Sequence, residues 1–175
     1  MSNATAAAPQ PTEYATYYGN YVSLVPSGDI IATLTAQLAE MQTLLGGISE
    51  EKSLYRYAPD KWSIKELVGH IVDAERIFAF RALAFGRGDE NAIPGMDQDV
   101  YVNGGKFDKV PFADLVEQFV HLRSANILLF KGLPEEAWTH VGTASDNKVS
   151  VRALVHIIAG HATHHTNILR ERYLA

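Results

Sequence analysis

Four of the seven histidines in this 175-residue chain, His156, His161, His164 and His165, fall within ten consecutive positions. Imidazole serves near neutral pH as general base, proton carrier or neutral metal ligand, so such a cluster is the first place to look for chemistry. The chain has no cysteine. Disulfides, thiolate zinc sites and cysteine nucleophiles are thereby excluded, and any thiol in a reaction must come from a substrate or cofactor.

Helical geometry sorts the cluster. The segment after Ser150 carries Val151, Leu154, Val155, Ile158, Ile168 and Leu169 on one wide stripe. With Leu154 at zero and 100° per residue, His161 falls at about −20° and His165 at about +20°, in the middle of that stripe. His164 falls at about −80°, at its edge, and His156 at about 200°, on the opposite face. On the segment beginning at Ile64, with Leu67 at zero, His70 lies at about −60°, flanking the core stripe. The same arithmetic turns His121 outward on the third periodic segment.

Two buried imidazoles one turn apart cannot both be charged, and each needs partners for its ring nitrogens. A divalent ion satisfies both, and i,i+4 is the spacing at which two histidines of one helix share an ion. The bland alternative is a pair of core histidines bonded to backbone. Other sites fail on motif: there is no H-E-x-x-H, no pair of Glu-x-x-His, no G-x-S-x-G and no phosphate loop.

Four segments position these residues. The first, about Asp29 to Leu45, repeats Ile30, Leu34, Leu38, Met41 and Leu45, and Gly46-Gly47 weakens its end. The second opens on a Ser63-x-x-Glu66 capping box with Trp62 and Leu67 as a hydrophobic staple, and ends at Gly86-Arg87-Gly88. Pro111 opens the third in its first turn, with Phe112, Leu115, Phe119, Leu122, Leu129 and Leu133 on its buried face. The fourth follows Ser150 as N-cap. No strand-like alternation is long enough to matter. The fold class is therefore all-α, a four-helix bundle. The connection 89–110, about 22 residues, spans a bundle's length and predicts an up-down-down-up order with a long crossover between helices two and three.

Residues 1–26 are rich in Ala, Thr, Pro and Tyr without a period and read as an arm on a bundle domain covering 27–175. Tyr14, Tyr17, Tyr18 and Tyr21 give the arm something to pack with. The chain is 47% apolar and 20% charged, enough for a conventional core and against global disorder. A net charge of −5 is the wrong sign for binding nucleic acid through counterion release. No apolar run approaches a membrane span, and the start lacks a signal peptide's basic and apolar regions, so a cytoplasmic location is expected.

The run Lys61-Trp62-Ser63-Ile64-Lys65-Glu66-Leu67-Val68-Gly69-His70 resembles the second-helix signature of the DinB superfamily of DinB/YfiT-like proteins. The run His156-Ile157-Ile158-Ala159-Gly160-His161-Ala162-Thr163-His164-His165 is similar to its last-helix signature. The resemblance covers about residues 30 to 172. It implies an up-down-down-up bundle holding one metal on three histidines, which here are His70, His161 and His165. It also implies a zinc or nickel ion, a small-molecule substrate, a small thiol such as bacillithiol or mycothiol as co-substrate, transferase or hydrolase chemistry, and a homodimer. The Tyr-rich arm is no part of that pattern.

Three readings of the chain follow: a metal-dependent enzyme, a stress-related or structural bundle whose metal only stabilises it, and a ligand-binding module without turnover. A structural site closes with a fourth protein ligand, whereas three ligands leave a position open. Weaker candidates surround the site. Asn126 falls inside the third stripe, where it orients a ligand or substrate or bonds a backbone carbonyl. Asp97-Gln98-Asp99 and Tyr101 sit on the crossover, Asp97 reading as turn chemistry. His164 reads as surface, and Arg81 as a cation reaching solvent and available to an anion.

Overall fold

The computed structural model describes residues 7–175; the first six residues of the arm lie outside the described residues. Four long helices carry the fold: α1 (Ile30–Gly46), α2 (Ile64–Gly86), α3 (Phe112–Lys131) and α4 (Val151–Ile168). Each starts where the local chemistry says it should. Asp29 accepts from the Ile31 amide, and Ser63 and Glu66 form both halves of a capping box. Ser150 accepts from the Ala153 amide. Pro111 is the N-cap of α3 rather than a residue of its first turn, one position from the expectation. α4 runs on through a π-turn over Leu169–Tyr173, and the Tyr173 hydroxyl donates to the Trp62 carbonyl at 2.8 Å.

Side-chain pairs fix the direction of every helix. Lys65 near the start of α2 donates to the Val110 carbonyl just before α3, and Gly86 at the end of α2 faces Leu133 beyond the end of α3, so these two run parallel. Gln37 meets Arg123, and Leu45 lines one groove with Phe112, so α1 and α3 are antiparallel. Gln37 also meets Ala159 while Glu40 meets Arg170, which makes α1 and α4 parallel. His70 against His161 with Gly86 against Val151 sets α2 against α4. The order is up-down-down-up. The crossover 89–110 holds a short helix (Gln98–Gly105) capped by Asp97, which accepts from the Asp99 and Val100 amides. Tyr101 is exposed on it. Among the described residues no helix is long and apolar enough to cross a membrane.

One network ties the helices at mid-height. Arg123 is fully buried and Glu75 is 3% exposed. The guanidinium grips the carboxylate through Nε and Nη2 at 2.7 and 2.8 Å, and Asn126 adds a third donor at 3.1 Å. Arg123 Nη1 also donates to Gln37, whose amide donates to the Ala159 carbonyl and the Thr163 hydroxyl. All four helices contribute. Asn126 therefore pairs with a carboxylate, neither with a ligand histidine nor with a backbone carbonyl.

The bundle carries one minor addition, and two expectations fail because distant segments cover a surface. A hairpin of β1 (Val141–Ala144) and β2 (Asn147–Ser150) stands between α3 and α4. Its strands are four residues long, too short to show alternation. Its turn uses Ser145 and Asp146, both at positive φ, as a two-residue turn of primed type requires. His156 is buried rather than facing water, its Nδ1 2.8 Å from the Arg152 carbonyl oxygen. Arg81 is buried rather than reaching solvent.

The arm accounts for His156. A wheel with one apolar face presumes water on the other, and here both faces of α4 are covered. Glu13 accepts from Arg152 and from Ser150, and the helical turn Gly19–Val22 lies on α4. Burial would raise the Glu13 carboxyl. The Arg152, Gln10 and Ser150 hydrogen bonds outweigh it and hold the pKa at about 2, so this anchor is ionised at neutral pH. Contact is closest at Gly160, where a Cβ would stand 2.0 Å from the Tyr21 carbonyl oxygen. Gly160→Ala is therefore expected to lift the arm, costing about 1–3 kcal/mol as overpacked sites do. Faster chymotryptic cleavage at Tyr17, Tyr18 and Tyr21 than in the parent, with the bundle otherwise intact, is the reading that checks it.

Candidate metal centre

His70 comes from α2, one residue after Gly69, whose missing Cβ leaves room for the Phe107 ring of the crossover. His161 and His165 come from successive turns of α4. Because α2 and α4 are adjacent and antiparallel, the three rings converge, and one nitrogen of each lies within 4.8 Å of the others. His161 Nε2 is 3.1 Å from Nε2 of His70 and 3.1 Å from Nε2 of His165. All three residues are buried.

The electrostatics keep these rings neutral. Burial is the main cause: it lowers the His70 pKa to about 4, that of His165 to about 3 and that of His161 well below its usual range. The neighbouring imidazoles push the same way. Lone pairs are thus free at neutral pH. Hydrogen bonding within the trio is poor, since a neutral ring offers at Nε2 either one proton or one lone pair, and His161 has two neighbours there. Nδ1 of His70 and of His165 are also buried without a protein partner. Two nitrogens on a tetrahedral divalent ion at 2.0–2.1 Å stand about 3.3 Å apart, close to the spacing observed. The donor set fits such an ion. No fourth His, Asp or Glu joins the group among the described residues.

Aromatic rings wall the trio. Trp62 lies 4.9 Å from His70 between ring centroids, Phe78 is 5.9 Å from His161, and Tyr21 of the arm stands edge-on to His161 at 5.3 Å and to His164 at 5.4 Å. His164 is half-buried between Tyr21 and His165, as its place at the edge of the stripe implies. A cavity of about 260 Å³ opens onto His165, lined by Tyr57, Lys61, Trp62, Leu67, Ile168 and Tyr173 among others. The larger groove of about 520 Å³ lies between α1 and α3, away from the trio. Sequence reasoning missed Tyr57 and Tyr173 as cavity walls; they lie outside the periodic stripes and are set there by the loop before α2 and by the π-turn.

Residues 33–169 match the family model described as the DinB superfamily. No curated protein matches the chain in sequence. Among solved structures the chain is similar to YfiT from Bacillus subtilis, at 12% identity and a TM-score of 0.71, over 97% of each chain. That protein is described as a probable metal-dependent hydrolase with an unusual four-helix bundle topology.

Proposed function

The chain belongs to the DinB superfamily, and from that premise we propose that it is a metal-dependent enzyme acting on a small molecule, with His70, His161 and His165 as ligands of one divalent ion. The observation that carries the reading is three neutral, buried imidazoles sharing one point, with no fourth protein ligand among the described residues. Held this way, the ion supplies a Lewis acid that draws the pKa of water or of a thiol at its open position toward neutrality. Zinc and nickel both suit imidazole donors.

The protein's own residues do the rest. Among the described residues no carboxylate backs the ligand rings, so none offsets the charge they would hold. Trp62, Phe78 and Tyr21 keep bulk water from the trio on three sides. The cavity at His165 admits a reactant of limited size. Its apolar walls favour an organic substrate, and the charge of Lys61 at its edge is already matched by Asp60. Hydrolysis is the favoured chemistry, by analogy with the description of the Bacillus relative. Transfer to or from a small thiol is the second reading, and it requires a thiol from outside because the chain has none. A cytoplasmic homodimer that contacts neither nucleic acid nor membrane completes the proposal.

Metal analysis of protein purified without a His-tag tests it. One divalent ion per chain is expected in the parent, loss in His161→Ala, and retention in His121→Ala, whose ring is exposed on α3. Equal metal content in the two variants would overturn the assignment.

A further inference from the structure

Two arginines are buried in this bundle, and only one has a carboxylate. Arg123 is gripped by Glu75, whereas Arg81 is 3% exposed and pairs with no Asp or Glu among the described residues. Its Nη2 donates to two neutral oxygens, the Pro94 carbonyl at 2.9 Å and the Ser145 hydroxyl at 3.1 Å. Its Nε is buried with no partner at all. The Phe78 ring lies 5.8 Å away, a contact that does not neutralise a full charge. A guanidinium cannot shed its proton to escape burial, so an uncompensated positive charge stands in the core.

That charge borders a hollow. Arg81 and Ser145 line a cavity of about 60 Å³ together with Tyr18 of the arm, Phe78 of α2 and Met96 of the crossover. At about 15 Å³ of such accessible space per water, the hollow admits a group of about four heavy atoms. Both Nη2 protons are already given to Pro94 and Ser145, so a carboxylate here takes the free Nε–H together with the Ser145 hydroxyl proton. Ser145, held at φ 51° in the hairpin turn, places that hydroxyl beside the guanidinium.

We propose that Arg81 and Ser145 form a small-anion site that takes a carboxylate group, at the junction of α2, the arm, the crossover and the hairpin. Phe78 borders both this hollow and His161, and the site stands whether or not the metal reading does. Formate fits the hollow, while gluconate is too large to enter it.

The test is a titration of the full, chelator-treated chain with sodium formate against sodium gluconate at matched ionic strength, read by melting temperature and by the Arg81 Nε–H resonance. Saturable stabilisation by formate and a saturable shift of that resonance are expected, without either for gluconate. An equal response to gluconate would show that the effect does not come from the hollow and would overturn the proposal. Ser145→Ala is expected to weaken formate binding about fivefold, the loss of one hydrogen bond. Arg81→Met is expected to abolish the response and to melt higher than the parent without anion. Should Arg81→Met not fold, the parent and Ser145→Ala titrations decide alone. A parent that shows only a linear, unsaturable salt effect with an unmoved Nε–H resonance overturns the proposal.

Discussion

Glu75→Gln is expected to destabilise the fold by about 3–5 kcal/mol, the range for removing one partner of a buried ion pair. The substitution keeps the shape of the side chain and removes only its charge. What remains is Arg123, with no exposure, facing a neutral amide that cannot accept both of its bonds. Neither group can relax to water, because Gln37, Asn126 and Thr163 close the network from the other helices. The double variant Glu75→Leu with Arg123→Met removes both charges and is expected to lose less than Glu75→Gln alone. Denaturant unfolding of the two proteins measures the difference. A single variant no worse than the double one would mean that the pair is not desolvated. For comparison, Thr163→Val leaves Gln37 one acceptor short and is expected to cost about 1 kcal/mol.

That network also shows where sequence stops being informative. The Ser63 capping box, the Ser150 cap and the stripe through Leu154, Ile158, His161 and His165 are local facts, set by residues three or four apart, and the structure reproduces them. The length of the crossover pointed to parallel α2 and α3, and the structure has them so. Glu75 and Arg123 are 48 positions apart and meet only because α2 and α3 run parallel, a register that neither helix encodes. Arg81 depends on Pro94 and on Ser145, which is 64 positions away. His156 was misread because the wheel assigns one buried face, while the arm, anchored by Glu13 and fitted against Gly160, covers a second. The rings expected together, His70, His161 and His165, are together; the walls of their cavity come from loop and π-turn residues with no period to reveal them.

Zinc-loaded and metal-stripped protein are expected to part ways as pH falls, and the window follows from the sign of the histidine shifts. Burial makes the folded chain hold these protons more weakly than the unfolded chain, where imidazole titrates near 6.5. Below pH 6.5 the unfolded state therefore gains protons that the folded state does not, and the metal-free fold loses stability. The loss is about 1.4 kcal/mol per pH unit for each imidazole involved, until His70 itself protonates at about 4. Affinity of the folded chain for the ion follows a different pKa, the folded one, so protons begin to compete only near pH 4. Zinc at a thousandfold excess over its Kd adds about 4 kcal/mol. That increment should hold nearly constant from pH 7.5 to 5, while the metal-free melting temperature is level down to about pH 6.5 and falls below it. Paired thermal melts with chelator and with zinc, across that range, read both quantities at once. An increment that instead disappears near pH 6.5 would place the three rings in water rather than in the core, and the site would lose the dry, neutral character on which its proposed chemistry depends.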